Sequence, residues 1–517
     1  MASPVVARRV EPAELVGSAA AIAVLLALVA LVAWPLADVL LTGVLTSPPP
    51  LGSIVDTLAV ALGAVLGALG LASVLAAAVR VSAPGAALLV TICRAGVLVP
   101  PFIAPLALLV LAHRAGLLIE VSGVAPPRLS LGAIAIAQAI AFSPHAFALL
   151  MRALARVPAE AEQAAELLGA SRATVLRRVT LALAQPGLAI AALAVLGLCL
   201  SDVTAPLLLG NLHRPVLGAR IVLGLDWVSS AAASAVALSV MTIAVAIAGR
   251  TWQHAFAPLL FTTTPSGVRP ARVARTVLST VAWSIAAVLV AVWAVVPLAG
   301  LLAMSRGLIG GIRGPLLNTL GLGLGVAVVG TVLALAVAWI AERRRGAATR
   351  AVMVLTRLPL AIPGVVGGVG YVLAFGIPRR DLVLATVLVA VWELPLMLRV
   401  AGNVLARSDR ATEYAALTLG ADALTTLRRV VLPALRPAAA WMLCHGFAIG
   451  VATVGPVIVL AQIGNLNLAV IHMLASASTG SVGAACAVAT VLLALAGGAT
   501  LLGRAAAGRE SIPTLLA

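Results

Sequence analysis

Asp202, Glu393, His145 and His445 are ionisable side chains set inside runs of otherwise apolar residues. Asp202 lies in SDVTAPLLLGN (201–211) and Glu393 in VWELPLML (391–398). A carboxylate in such a place can offer a hard oxygen ligand to a small, highly charged cation or its chelate, or it can accept a hydrogen bond from a neighbouring helix. Ionisable groups inside spans are costly, which makes each a candidate for function. Asp202 and Glu393 are therefore candidate substrate-pathway residues, and Glu393 equally fits a structural bond between helices. For His145 and His445 a bond to a backbone carbonyl is the favoured reading. Cys93, Cys199, Cys444 and Cys486 all sit in apolar stretches without CxxC spacing, so they read as small buried hydrophobes. No catalytic residue, metal site or cofactor is expected.

A second set of residues occurs twice. EQAAELLGAS (162–171) and EYAALTLGAD (413–422) share a Glu-x-Ala-Ala-x-x-x-Gly-Ala phrase. Arg177-Arg178 and Arg428-Arg429 follow at the same distance. Each phrase reads as a short helix, a glycine able to take positive φ, and a second amphipathic helix. The alanine pairs 164–165 and 415–416 leave a helix surface without bulk, suited to insertion into a groove of another protein. A plain amphipathic loop lying on lipid headgroups is the competing reading, and the repetition counts against it.

The elements that carry these residues are membrane helices. The 517 residues are 62% hydrophobic and 10% charged, where a soluble domain is about one quarter charged. Apolar stretches long enough to cross a bilayer lie near 19–42, 54–79, 86–112, 130–151, 185–209 and 231–249. Six more lie near 279–303, 316–340, 352–376, 382–403, 438–461 and 481–503. Arg8 and Arg9 precede the first, which reads as an uncleaved span. With the N-terminus inside, only Arg114, Arg128, Arg214, Arg220, Arg306, Arg313, Arg379 and Arg380 fall outside. The other 26 of the 34 basic residues, including ERRR at 342–345, fall inside. That bias places both termini and both Glu-x-Ala-Ala loops in the cytoplasm. It also accounts for the net charge of +17 without nucleic acid, because the arginines are dispersed among spans.

The repetition extends beyond the loops. Pro144, Arg156, Gly169 and Pro186 match Pro395, Arg407, Gly420 and Pro437 at an offset of 251 positions. WPLA (34–37) resembles VPLA (296–299), and DTL (56–58) resembles NTL (318–320), at an offset of 262. The change of offset fits one insertion in the outer loop 113–129. The expected organisation is an all-α membrane protein of about twelve spans, built as two parallel six-helix repeats. Residues 1–250 form the first repeat, 251–276 a cytoplasmic linker and 277–517 the second. The paired loops occupy about 156–186 and 407–437.

On these motifs the chain resembles the fused double permeases of binding-protein-dependent ABC importers. That family's EAA motif is Glu-Ala-Ala, three residues, Gly, nine residues, then an apolar-x-Leu-Pro ending. Ala164, Ala165 and Gly169 match it in the first loop, and Ala415, Ala416, Gly420, Leu432 and Pro433 in the second. The motif's Glu position holds Gln163 and Tyr414, with Glu162 and Glu413 one residue earlier, and Ala182 replaces the first ending proline. The resemblance implies docking of ATP-binding subunits, two copies, on Glu162, Ala164, Ala165, Gly169, Glu413, Ala415, Ala416 and Gly420. It also implies an extracytoplasmic solute-binding protein and a bacterial inner-membrane location. The chain has no lysine, so it holds no Walker A loop and the ATPase must be a separate polypeptide. SDVTAPLLLGN with VLGARI (216–221) resembles ferric-iron importer permeases, and PPFIAP (100–105) and LAIPGVVGG (360–368) resemble the broken third span of that group. Ferric iron is the expected cargo. Thiamine importers are the nearest competitor, and polyamine, sulfate and phosphonate systems share the motif. A secondary transporter, which would have no need of two Gly-hinged loops, and a non-transporting membrane scaffold, which predicts no uptake phenotype on deletion, are alternatives from other classes.

Overall fold

The computed structural model describes residues 12–80, 85–122, 130–210, 215–224, 228–256, 275–307, 311–343, 346–376, 381–407 and 410–511. All regular structure among them is helical. Lipid offers no partner to backbone N–H and C=O groups, so a chain this apolar closes its hydrogen bonds within helices.

In the N-terminal half, α1 (Pro12–Leu28) and α2 (Trp34–Val44) form one crossing, joined by a π-type turn at Val29–Ala33. There follow α3 (Leu51–Arg80), α4 (Ala86–Gly96), α5 (Ile103–Ser122), α6 (Leu131–Ala155), the short α7 (Ala159–Leu167) and α8 (Arg172–Val175), α9 (Leu181–Ser201), α10 (Thr204–Leu209), α11 (Leu217–Leu223) and α12 (Val228–Ala255). The C-terminal half comprises α13 (Arg275–Ser305), α14 (Arg313–Arg343), α15 (Ala347–Leu355), α16 (Leu358–Ala361), α17 (Gly364–Phe375), α18 (Leu382–Arg407), α19 (Arg410–Thr418), α20 (Ala423–Thr426), α21 (Leu432–Ala452), α22 (Gly455–Gly464), α23 (Ala469–Ser478) and α24 (Val482–Ser511).

Among the described residues, ten helices are long and apolar enough to cross a membrane, and two bent pairs bring the total to as many as twelve. The expectation of about twelve spans holds, with local corrections. Residues 86–112 are not one helix: α4 ends at Gly96 and α5 begins at Ile103, because Pro100 and Pro101 cannot continue the hydrogen-bond ladder. The stretch 352–376 is likewise broken, with α15–α16 and α17 meeting at a bend of 116° around Pro363. The stretches 185–209 and 438–461 each stop short, at Ser201 and Ala452, where Asp202 and Thr453 turn extended with ψ of 122° and 139°. Residues 257–274, most of the expected linker, lie outside the described residues, while 251–255 continue α12. Of the expected outer loop 113–129, residues 113–122 are helix and 123–129 lie outside the described residues.

Small residues let the helices approach closely, as apolar association in lipid requires. At the α14–α21 crossing a Cβ on Gly450 would stand 2.7 Å from the Gly323 Cα, and one on Gly446 2.9 Å from the Ala327 Cα. The first helix of each half lies against the other half. Helix α2 packs on α17, where a Cβ on Gly370 would meet the Pro35 carbonyl at 2.7 Å, and α13 packs on α3, α4 and α5.

One hydrogen bond recurs in both halves and gives the DTL and NTL motifs a purpose. The N–H of Leu217, opening α11, donates to Thr57 Oγ1 at 2.9 Å, and the N–H of Ala469, opening α23, donates to Thr319 Oγ1 at 2.8 Å. Each threonine supplies an acceptor that a buried helix start otherwise lacks.

Candidate functional site

The repeated loops fold alike. In the first, α7 ends at Gly169, which takes φ of +83°, and α8 runs through a π-type turn at Leu176–Thr180 directly into α9. In the second, α19 ends at Gly420 with φ of +89°, and α20 runs through the same kind of turn at Leu427–Val431 into α21. Positive φ is strained for any residue with a Cβ. The space around both glycines is open, so the backbone angle alone demands glycine. Each π-type turn contains the Arg-Arg pair of its loop, Arg177-Arg178 or Arg428-Arg429.

Beside each glycine a leucine points away from the protein: Leu168 and Leu419 are each 88% exposed. Ala164 and Ala415 are exposed, and Ala165 and Ala416 half-buried. Sequence reasoning singled out the alanines and missed the leucines, whose signal was their shared place before the glycine.

Glu162 turns the other way. Its Oε1 accepts from Arg80 Nη2 at the end of α3 and from Thr180 Oγ1 in the π-type turn. It ties α7 to its own bundle. In the second loop Glu342 stands at the position matching Arg80, and Val431 at that matching Thr180. Glu413 is half-buried in the first turn of α19.

Inside the bundle the two candidate carboxylates have different surroundings. Asp202 caps α10: its Oδ1 accepts from the N–H and the hydroxyl of Thr204 at 2.9 and 2.5 Å. Its Oδ2 accepts from Gln138 Nε2 at 3.1 Å and from the N–H of Ala205 at 3.4 Å. Gln138, 2% exposed on α6, also donates to the Cys199 carbonyl at 3.0 Å. Both oxygens of Asp202 are thus engaged by the protein, and the group holds open the break between α9 and α10.

Glu393 on α18 has no such set. Its Oε2 stands 3.7 Å from His445 Nε2 on α21, with the side chains 25% and 16% exposed. That separation exceeds hydrogen-bond length, and His445 Nε2 is buried without a hydrogen-bond partner. Trp441 stacks on the imidazole at 4.6 Å between centroids and fixes its plane. The carbonyl expected for His445 is not at Nε2, nor for His145 at Nδ1, which likewise lacks a partner. The sequence showed Glu393 and His445 separately, and only the packing of α18 on α21 brings them together.

No family model matches the chain. Among curated proteins it is 26% identical over 389 residues to the ferric transport system permease protein FbpB of Actinobacillus pleuropneumoniae. It is 27% identical over 356 residues to the putative ferric transport system permease protein FbpB 1 of Haemophilus influenzae. The alignments cover 70% and 63% of this chain. They span 56% of the length of each relative. The resemblance read from the motifs is thus to the same kind of protein, and the chain is a multi-span helical membrane protein similar to these permeases.

Proposed function

We propose that this chain is the membrane permease of an ATP-driven importer, and that it carries ferric iron delivered by an extracytoplasmic binding protein. Two separate ATP-binding subunits dock on the loops at α7–α8 and α19–α20, and closure of those subunits rocks the halves about a central path. The observation that carries the reading is the pair of helix–Gly–helix loops, each presenting an exposed leucine beside a positive-φ glycine. A soluble face that exposes such residues twice is suited to a partner. Each loop follows the same crossing of its half, α6 or α18, and in this reading, with the bent α15–α17 pair counted as a crossing, six crossings separate them and both loops lie on one side of the membrane. The arginine bias makes that side the cytoplasm of a bacterial inner membrane, with both termini there.

In this reading the docking surface is Ala164, Ala165, Gly169, Ala415, Ala416 and Gly420, with Leu168 and Leu419. Glu162 anchors the first loop from within, and Glu413 belongs to the docking side of the second. The matched threonine bonds and loops support a duplicated six-span unit. The names of the two relatives support iron as the cargo. Glu393 with His445 supplies a carboxylate and an imidazole in the path, a pair weak enough for an ion to leave, while Asp202 serves the path by shaping it.

The decisive experiment offers labelled iron and labelled thiamine to cells carrying only this system with its binding protein. Iron accumulation that requires ATP hydrolysis is expected. Thiamine accumulation without iron would reject the cargo and keep the importer; uptake driven by a proton gradient would reject the importer.

A further inference from the structure

The carboxylate of Glu162 joins three elements at one end of the N-terminal half. Arg80 stands in the last turn of α3 and Glu162 in the first turn of α7, where each charge also suits the dipole of its own helix. Thr180, 2% exposed, closes the π-type turn that runs into α9. No residue of α7 is buried, so few contacts fix that helix, and the Glu162 carboxylate supplies two hydrogen bonds among them. Both are charge-assisted, which makes them stronger than bonds between neutral groups. Arg80 depends on Glu162 in turn, since its Nη1 is buried without a partner. In the second half Glu342 and Val431 occupy the matching places, and a carboxylate and an alkyl group donate no such bonds.

The two helices clasped at this end carry α10 and α11 at the other. Thr57, about 35 Å from Arg80 along α3 at the helical rise, accepts from the N–H that opens α11. Helix α9 ends at Asp202, which caps α10. Helices α3 and α9 also pack directly on each other. The loop helix α7, the pair α3–α9 and the segment α10–α11 are thus linked through named hydrogen bonds at both ends.

We infer that Glu162, held by Arg80 and Thr180, is a positioning residue that makes the first loop a lever: displacement of α7 by the ATPase moves α3 and α9, and with them α10–α11. Without the clasp, a helix with no buried residue beside a glycine turn absorbs that displacement in the loop itself. The inference rests on the importer reading for the origin of the movement, while the clasp itself is independent of it.

Amide hydrogen exchange of the purified full chain, with no ATPase present, tests the clasp. Arg80→Gln, and Thr180→Val with its volume kept, should each raise exchange in α7 about fivefold and leave α19 unchanged. Transport tests the lever, in proteoliposomes with the ATPase and binding protein. Either variant should lower labelled iron (thiamine, where the wild type takes that up instead) accumulated per ATP hydrolysed by about fivefold. ATPase copurification and basal hydrolysis should stay unchanged. Arg80→Glu combined with Glu162→Arg should restore both readouts, with the Thr180 hydroxyl accepting where it donated, and Arg80→Glu alone should not. Val431→Thr, at the matching place in the second half, should alter neither. Unchanged exchange in α7 would show that the carboxylate does not hold the loop. Faster exchange with unchanged transport per ATP would leave the clasp a structural bond only. Either result overturns the inference. Absence of ATP-dependent uptake by the wild-type chain would reject the importer reading, and the lever with it, while the exchange result still reports on the clasp.

Discussion

Asp202 and Glu393 are both carboxylates in apolar helices, and the two halves of the molecule use them in opposite ways. Asp202 accepts four hydrogen bonds and ends α9. At the matching place in the C-terminal half stands Thr453, and the break between α21 and α22 is held by close packing instead. A Cβ on Gly364 would meet Pro456 Cγ at 2.5 Å, and one on Gly368 the Pro456 carbonyl at 2.8 Å. Conversely, Glu393 faces an imidazole at 3.7 Å, while the matching positions in the N-terminal half are Phe142 and Ala194. A charged residue in a span therefore signals its role through how fully its hydrogen-bonding capacity is met. On the proposed function, a saturated carboxylate serves as architecture and an unsaturated one is open to a cargo.

The largest effect should come from breaking the saturated site. Asp202→Ala leaves the Thr204 and Ala205 N–H groups without their acceptor, and the Gln138 amide with the Cys199 carbonyl alone, at about 1–3 kcal/mol for each buried group left unmade. The thermal midpoint of the purified chain should fall by an amount equivalent to about 3 kcal/mol. Thr453→Ala, where no side-chain bond is made among the described residues, should stay within about 0.5 kcal/mol. Equal losses at the two positions would mean that the halves hold their breaks by the same means.

Next come the loops, where the halves agree. Gly169→Leu and Gly420→Leu each force a side chain into the left-handed region at about 1–2 kcal/mol. Both should lose copurification of the ATPase and uptake, with the protein still inserted. Ala416→Glu should do the same by burying a charge without a partner. Undiminished copurification in these variants would remove the docking reading, and loss in only one loop would show that the partners use the halves unequally.

How much of this was legible beforehand follows from the range of the interactions. The helices, the broken stretches at Pro100 and Pro363, and the glycine turns are local, and composition and proline placement announce them. The repeated Thr57 and Thr319 were visible as motifs, yet their task was not, because the helix starts they cap lie 160 and 150 positions away. Asp202 looked like a pathway residue because burial in a span is readable and satisfaction by Gln138, 64 positions away, is not. Glu162 drew attention for its place in the loop phrase, while the arginine that holds it lies 82 positions earlier.

Sharpening the contrast at Glu393 needs a functional readout. Glu393→Gln and His445→Gln should leave the thermal midpoint within about 0.5 kcal/mol, since neither side chain completes a hydrogen bond to the other. Iron uptake should nevertheless fall about tenfold in each, equivalent to about 1.4 kcal/mol at the limiting step. The double variant should be no worse than either single one if both act on the same ion. A strongly destabilised Glu393→Gln with uptake per folded molecule unchanged would move this pair to the structural side of the comparison, beside Asp202.

The smallest effect concerns the loop glutamates. Glu162 is the first loop's own anchor, held by Arg80 and Thr180 at partly exposed positions, and such a pair contributes up to about 1 kcal/mol. Glu162→Gln should therefore lower the thermal midpoint slightly and leave ATPase copurification intact, because the carboxylate faces the bundle and not the partner. The Arg80→Gln and Glu162→Gln changes should be less than additive, since each removes the same interaction. Glu413→Gln, lacking an arginine and a threonine at the matching places, should act additively with Arg80→Gln. If Glu162→Gln instead releases the ATPase at an unchanged midpoint, the first loop docks through its acidic residue after all, and the two loops are alike where their surroundings differ.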